Sequence, residues 1–226
     1  MTRLKFLGTR ANTDATSPYH SKHSGLLLNE KILFDLGEEE FLQHEPEVIF
    51  ITHLHPDHAV FIVEDIEVEV PIYAPEESDD IEVRIMPDHV DFETCTISSI
   101  PTIHSKLVES RAYLIEGDHR ILYTGDMVWI EKKYHSAFGE LDLVITDGSF
   151  IRQGGRVMGD KQGNIWGHKG IPDLVEFFRP CAAHIVFTHL GKWFYGNASE
   201  SRRKVKSLSR EVTIDLAYDG MVLDLR

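Results

Sequence analysis

Cysteine is scarce in this chain: 226 residues include only Cys95 and Cys181, far apart and outside any Cys-x-x-Cys pair. Neither a disulfide framework nor a thiolate zinc site is expected. Long apolar runs are also missing, since no stretch approaches the ~20 residues needed to cross a bilayer. Membrane partners are therefore not expected. The opening residues Met1-Thr2-Arg3-Leu4-Lys5-Phe6 begin a strand pattern rather than a secretory signal, so a reducing cytoplasm is the expected location. There is no low-complexity segment, no repeat at solenoid spacing and no long Pro/Gly/Ser linker. Residues 1–226 read as one domain, long enough for a substantial core.

Positive charge is the other shortage. The chain has 23 Lys and Arg against 37 Asp and Glu, a formal net charge of -14. That balance disfavours strong binding of duplex nucleic acid or anionic membranes. Bound divalent ions would reverse the sign locally, so an anion site can still exist within an acidic protein. The one basic run, Ser201-Arg202-Arg203-Lys204-Val205-Lys206, reads as a solvated helix face.

Short apolar runs predict strands at 4–8, 25–28, 32–34, 48–51, 70–73, 81–86, 96–100, 112–115, 121–123, 143–145, 184–187, 212–216 and 221–225. Helical patterns are fewer, at 56–64, 132–138, 171–178 and 199–208. Strands precede helices in both halves, which predicts α/β sheets with helices outside them.

What the chain has in abundance is histidine, 13 in all, and the segment Ile51-Thr52-His53-Leu54-His55-Pro56-Asp57-His58 concentrates it. Imidazole and carboxylate together suit a borderline divalent cation such as zinc, manganese or iron. His53 and His55 project to one side of an extended chain, and Pro56 then turns it, so Asp57 and His58 arrive from another direction. Donors from two directions suit two neighbouring metals.

Further candidates sit at strand exits. Asp126 closes Ile121-Leu122-Tyr123-Thr124-Gly125-Asp126, and a carboxylate there has lone pairs enough to bridge two cations. His104 follows one strand pattern and His189 ends another, Ile185-Val186-Phe187-Thr188. His168 lies in Trp166-Gly167-His168-Lys169-Gly170, where glycines free the backbone before a helix. Asp35, in Phe34-Asp35-Leu36-Gly37, is either an acceptor that orients a ligand histidine or a turn residue. His20 and His23 read as loop residues whose spacing allows both to approach one site. His44, His89, His119, His135 and His184 carry no assigned chemistry.

Taken in order, Asp35, His53-x-His55-x-Asp57-His58, His104, Asp126 and His189 resemble the motif series of the metallo-β-lactamase superfamily. The resemblance runs from Phe6-Leu7-Gly8-Thr9 to Ala217-Tyr218-Asp219-Gly220. It implies a four-layer αββα sandwich with the metals at one edge. It also implies that His53, His55 and His104 hold one metal, that Asp57, His58 and His189 hold the second, and that Asp126 bridges them. The all-histidine first site is similar to the hydrolase and phosphodiesterase branches rather than to lactamases that use a cysteine. The segment around His168 is similar to tRNase Z-like phosphodiesterases, in which a histidine upstream of the last ligand assists catalysis. Two departures stand out. There is no long arm insertion for tRNA, and Leu190-Gly191-Lys192 replaces the usual polar-aromatic continuation. The closer likeness is to uncharacterised metal-dependent hydrolases of this superfamily.

The expected function is hydrolysis with two divalent metal ions per chain, Zn, Mn or Fe, which turn a bridging water into hydroxide. Asp57 is expected as ligand and partner of the attacking water, and His168 as proton donor to the leaving group. Two metals suit a phosphodiester, and the acidic surface favours small or single-stranded ones. Ester, thioester or lactone hydrolysis uses the same nucleophile and is the alternative. Two other classes remain. A di-iron redox protein of the flavodiiron type would place a carboxylate in the first motif, where this chain has His55, and would add a flavodoxin domain. A metal sensor would show no turnover.

Overall fold

Apolar residues on strands buried from both sides organise the molecule, and the computed structural model describes all of residues 1–226. In chain order, β1 (Thr2–Gly8), β2 (Gly25–Leu28), β3 (Ile32–Phe34), β4 (Val48–Phe50), β5 (Ile72–Ala74) and β6 (Arg84–Ile85) come first. They are followed by β7 (His89–Asp91), β8 (Thr96–Pro101), β9 (Arg111–Glu116), β10 (Arg120–Tyr123), the one-turn helix α1 (His135–Phe138) and β11 (Leu143–Asp147). A ribbon of β12 (Arg156–Gly159) and β13 (Ile165–His168) leads into α2 (Ile171–Phe178). The chain closes with β14 (His184–Thr188), α3 (Ala198–Lys206), β15 (Thr213–Leu216) and β16 (Val222–Leu225).

These strands form two seven-stranded sheets, ordered β16-β1-β2-β3-β4-β5-β6 and β15-β14-β11-β10-β9-β8-β7, with β12–β13 a separate ribbon. Side-chain alternation explains why the sheets stack. Ile121, Tyr123, Leu143, Ile145 and Val186 of the second sheet meet Leu4, Phe34, Val48 and Phe50 of the first in the central core. Leu122, Val144, Ile185 and Phe187 point the other way and are covered by Leu174, Val175 and Phe178 of α2 and Val205 of α3. On the far side of the first sheet, Leu27, Leu33 and Ile49 are covered by Phe41, Val60 and Phe61. The result is the expected four-layer sandwich.

Its outer layers are unequal. The helix predicted over 56–64 is absent, and only a 3-10 turn at Val60–Ile62 forms there. Its backbone groups are used elsewhere: Leu36 N–H donates to the His58 carbonyl and Val60 N–H donates to the Leu36 carbonyl. That pairing fixes the segment beside β3 and outcompetes helix formation, which Val60, Phe61, Ile62 and Val63 favour only weakly. The pattern over 132–138 divides into a 3-10 turn (Lys132–Tyr134) and α1. The helix expected at 171–178 forms with those bounds, and the one at 199–208 forms at Ala198–Lys206. Strands β7, β12 and β13 were not expected: β7 and β12 are largely exposed, and β13, with Gly167 in its middle, is too short and irregular to show apolar alternation.

The basic run is not wholly solvated. Arg202 donates to the Leu216 carbonyl at 2.8 Å and lies 2.9 Å from His20 Nε2, while Lys206 pairs with Asp215 at 2.7 Å. No helix is long and apolar enough to cross a membrane.

Topology places the ends that matter. Strands β3 and β4 are parallel neighbours in one sheet, and β10, β11 and β14 are parallel neighbours in the other. Their C-terminal ends carry Asp35, His53, Asp126, Asp147 and His189 to one edge of the sandwich, where open α/β sheets bind ligands.

Candidate metal centre

His53, the first histidine after β4, is buried, and its Nδ1 lies 3.0 Å from Thr52 Oγ1. Its other nitrogen, Nε2, is buried and has no hydrogen-bond partner. His104 Nδ1 donates to the Gly167 carbonyl at 2.9 Å, which leaves Nε2 3.3 Å from His55 Nδ1. Three imidazoles thus turn one nitrogen each toward a common point, with those atoms within 4.8 Å of one another. Donors about 2 Å from one tetrahedral cation lie roughly 3.3 Å apart, the separation seen between His104 Nε2 and His55 Nδ1. Burial, followed by the neighbouring imidazoles, lowers the pKa of His53 well below its ordinary value, and burial lowers that of His104 to about 4. Burial likewise lowers His55. All three are therefore neutral near pH 7, as metal ligands must be.

Asp57, His58 and His189 make a second convergence within the same 4.8 Å limit. His189 Nε2 lies 2.9 Å from Asp57 Oδ2. Burial opposes the charge on Asp57, but the His189 hydrogen bond and the nearby His58 hold its carboxyl well below the usual range. His189 has φ 52°, left-handed backbone that is uncommon outside glycine. Strain of this kind, on the order of 1–3 kcal/mol, persists where the surroundings over-determine the conformation. Here Leu190 N–H is held by the Thr9 carbonyl and the ring by Ser149 Oγ at 2.9 Å.

Asp126 lies between the two groups. Its Oδ2 is 3.9 Å from His53 Nε2 and 3.7 Å from His104 Nε2, whereas its Oδ1 is 3.5 Å from His58 Nε2 and 2.9 Å from His189 Nδ1. Each oxygen faces one triad, the arrangement a bridging carboxylate needs. Oδ1 is buried and approaches His189 without hydrogen-bond geometry, so it remains unpartnered. Two orphaned buried atoms, His53 Nε2 and Asp126 Oδ1, would be costly in a metal-free protein, and divalent cations would satisfy both. The donor set of five imidazoles and two carboxylates fits such ions. Gly125 is what allows the carboxylate to arrive there. It has φ 57°, and a Cβ on it would come within 2.6 Å of Thr52 Oγ1.

The two open roles of Asp35 prove to be compatible. Its φ is 61°, as a turn requires, and its buried carboxylate accepts from Thr52 N–H at 2.7 Å, His58 Nδ1 at 2.7 Å and Tyr123 OH at 2.7 Å. It fixes His58 with Nε2 toward Asp126, the support that ligand histidines usually have. Burial lowers the His58 pKa, but Asp35 and then Asp126 outweigh it and raise the value to about 10, so a cation at Nε2 would have to displace that proton.

His168 stands beside the cluster at the end of β13. Its Nδ1 is 2.7 Å from Asp147 Oδ2 and 3.2 Å from Ser149 Oγ. Burial disfavours its charge, yet Asp147 and then Asp126 raise its pKa. Asp147 and Ser149 were missed from the sequence, although a signal existed. Thr146-Asp147-Gly148 repeats, at the next parallel strand, the carboxylate-with-glycine exit of Thr124-Gly125-Asp126. Asp126, Asp147, His168 and His189 also bring donor atoms within 4.8 Å, so geometry alone permits His168 a ligand role.

Neither His20 nor His23 joins these groups. His23 Nδ1 lies 2.9 Å from Glu38 Oε1. His20 is buried against Phe194, with ring centroids 4.5 Å apart. Its Nε2 accepts from Arg202, its Nδ1 lies 3.0 Å from Thr9 Oγ1, and Thr9 donates to Asp219 at 2.7 Å. The network pins the loop of residues 10–23 through a neutral imidazole. Burial and then Arg202 lower the His20 pKa to about 4, partly offset by Asp219. The unfolded chain takes up this proton near 6.5, the folded one only near 4, so the unfolded state binds more protons between those values. Stability from this site should be complete above pH 6.5 and fall as pH drops toward 4. Thermal melts from pH 7.5 to 4.5 should show a steeper loss in wild type than in His20→Gln. Parallel curves would contradict this account.

The centre opens into a cleft of about 490 Å³ lined by His55, Asp57, His104, Asp126, His168 and His189, together with Lys192 and residues of the β12–β13 ribbon. No protein-family model and no curated protein matches the chain. Solved structures do. A metallo-β-lactamase fold protein, YhfI from Bacillus subtilis, superposes with a TM-score of 0.73 at 18% identity, covering 98% of each chain. The chain has the metallo-β-lactamase fold. A diphosphatase of the PhnP family matches with a TM-score of 0.71 at 17% identity, over 100% of this chain and 98% of the other. The short form of human tRNase Z matches with a TM-score of 0.65 at 18% identity, over 99% of each. These likenesses span the whole metallo-β-lactamase fold, including the strand ends that carry the clustered donors.

Proposed function

We propose that this protein is a hydrolase that binds two divalent cations and cleaves small or single-stranded phosphodiesters. The observation that carries the reading is Asp126, whose two oxygens each face a separate three-residue donor group. His53, His55 and His104 would hold one cation, Asp57, His58 and His189 the other, and Asp126 both. Zinc, manganese and iron all suit this donor set. When bound, the cations supply Lewis acidity and a water of lowered pKa. Asp57 also faces the cleft, placed to accept a hydrogen bond from the attacking water.

His168 supplies the other half of the chemistry. With Nδ1 turned to Asp147, its remaining nitrogen, Nε2, is the one available to the cleft that it lines. Asp147 and Asp126 favour the protonated ring. As the P–O bond breaks, the departing oxygen would take the Nε2 proton, and Asp147 would stabilise and orient the imidazole throughout. Two of the similar structures, a diphosphatase and a tRNase Z, support reading the site toward phosphate chemistry. The net charge of -14 supports small or single-stranded substrates, since a duplex would meet repulsion beyond the cleft.

The test is a panel assayed with zinc, manganese and iron: bis(p-nitrophenyl) phosphate, cyclic nucleotides, short oligonucleotides, nitrocefin, lactones and acyl thioesters. Phosphodiesters should be cleaved with the highest kcat/KM. Efficient carbonyl hydrolysis with silent phosphodiesters would establish the ester, thioester or lactone reading instead.

A further inference from the structure

The β12–β13 ribbon contributes little to the core, and its residues 156–165 include none that is buried. Val157, Met158 and Ile165 are 38–39% exposed. An isolated two-stranded hairpin is marginal in water, so the rest of the protein must hold this one in place. Its base is secured at a metal-site residue. Gly167 N–H donates to the His104 carbonyl at 2.7 Å, and the Gly167 carbonyl accepts from His104 Nδ1 at 2.9 Å. Gly167 has φ 113°, and a Cβ on it would meet the Arg156 carbonyl at 2.1 Å. The ribbon is thus built into the site, although the hydrophobic core does not require it.

Register determines what it presents there. Arg156 pairs with His168, and Met158 pairs with Trp166. Positions paired across an antiparallel ladder share a face, as do positions two apart along a strand. The four side chains therefore form one surface, and all four line the cleft. Trp166 lies two residues from His168, roughly 7 Å along the strand. That distance approximates the span from a phosphoryl group to a ring attached through a sugar. The Lys106 ammonium stands 4.3 Å from the centre of the Trp166 ring and steadies it, and Trp166 still lines the cleft. Arg156, opposite His168, is the cation at the phosphate end of this surface.

We infer that the β12–β13 ribbon is a nucleoside subsite, on which Trp166 and Met158 take the flat base of a nucleotide phosphodiester and Arg156 takes one of its phosphate oxygens. The inference rests on the phosphodiester reading and narrows it to substrates that carry a base. Aromatic stacking accepts any base, so the subsite selects nucleotides over simple alkyl phosphates without strong sequence preference.

Calorimetry on zinc-loaded protein tests it, with thymidine 5′-monophosphate and methyl phosphate as the two probes. Wild type should bind the nucleotide at least tenfold more tightly than methyl phosphate. Trp166→Ala should weaken the nucleotide about tenfold, the scale of one stacked base, and leave methyl phosphate within twofold. Trp166→Phe should restore most of the loss. Because Trp166 is outside the core clusters, melting curves of the variants should overlay that of wild type. Equal affinity of wild type for both probes, or equal weakening of both by Trp166→Ala, would overturn the subsite. Hydrolysis of bis(p-nitrophenyl) phosphate by the same wild-type sample reports separately on the parent reading. If turnover is present while base preference is absent, the ribbon inference alone fails. If both are absent, the phosphodiester reading fails and takes the subsite with it.

Discussion

His53→Ala should deplete metal and abolish hydrolysis together. His53 is fully buried, and its Nε2 has no other partner within the protein. Removing it takes a donor from the first triad and leaves Asp126 Oδ2 with one fewer neighbour on that side. Losing a residue that merely supports a ligand costs about 10–100-fold in affinity or activity. Losing a ligand should cost more. His58→Ala should behave alike, with the added effect that Asp35 loses the imidazole it orients. Elemental analysis after dialysis against limiting metal, paired with turnover, checks both. A His53→Ala protein that keeps its full metal content would remove His53 from the site.

His168→Ala should separate the two properties that His53→Ala removes together. Turnover should drop about 10²–10⁴-fold, the scale of a lost general acid or base, while metal content stays at the wild-type level. The separation matters because Asp126, Asp147, His168 and His189 are close enough to hold an ion themselves. If metal falls as far as activity, His168 is a ligand. Substrates with very good leaving groups need less protonation, so bis(p-nitrophenyl) phosphate should suffer less than a dinucleotide. Asp147→Asn should show a milder form of the same pattern, because Asp147 acts through the ring it orients.

Much of this site was legible from sequence because its donors sit where periodicity changes. His53 to His58 follow a short apolar strand and are broken by Pro56, and Asp126 follows a glycine at another strand exit. Such signals are local. The β-strand pattern was legible for the same reason, since Val48 to Ile51 and Ile185 to Phe187 are apolar on both faces. Pairings decided in three dimensions were hidden. Nothing local reveals that Leu36 captures the backbone around His58 and denies residues 56–64 their helix. Nothing local distinguishes His20, buried between Arg202 and Thr9, from a histidine that joins the donor cluster. The ribbon escaped notice because exposed strands show no apolar alternation, and Asp147 because its strand runs two residues beyond the apolar run. Both roles open to Asp35 are filled, a left-handed turn position whose carboxylate also holds His58.

The most direct test of the account is the metal content of the wild-type protein. After reloading with zinc, manganese or iron and removal of the excess, elemental analysis should give about two divalent ions per chain for at least one of them. One ion per chain, or none, after reloading with each metal would contradict the paired donor groups around Asp126 on which the proposed chemistry depends.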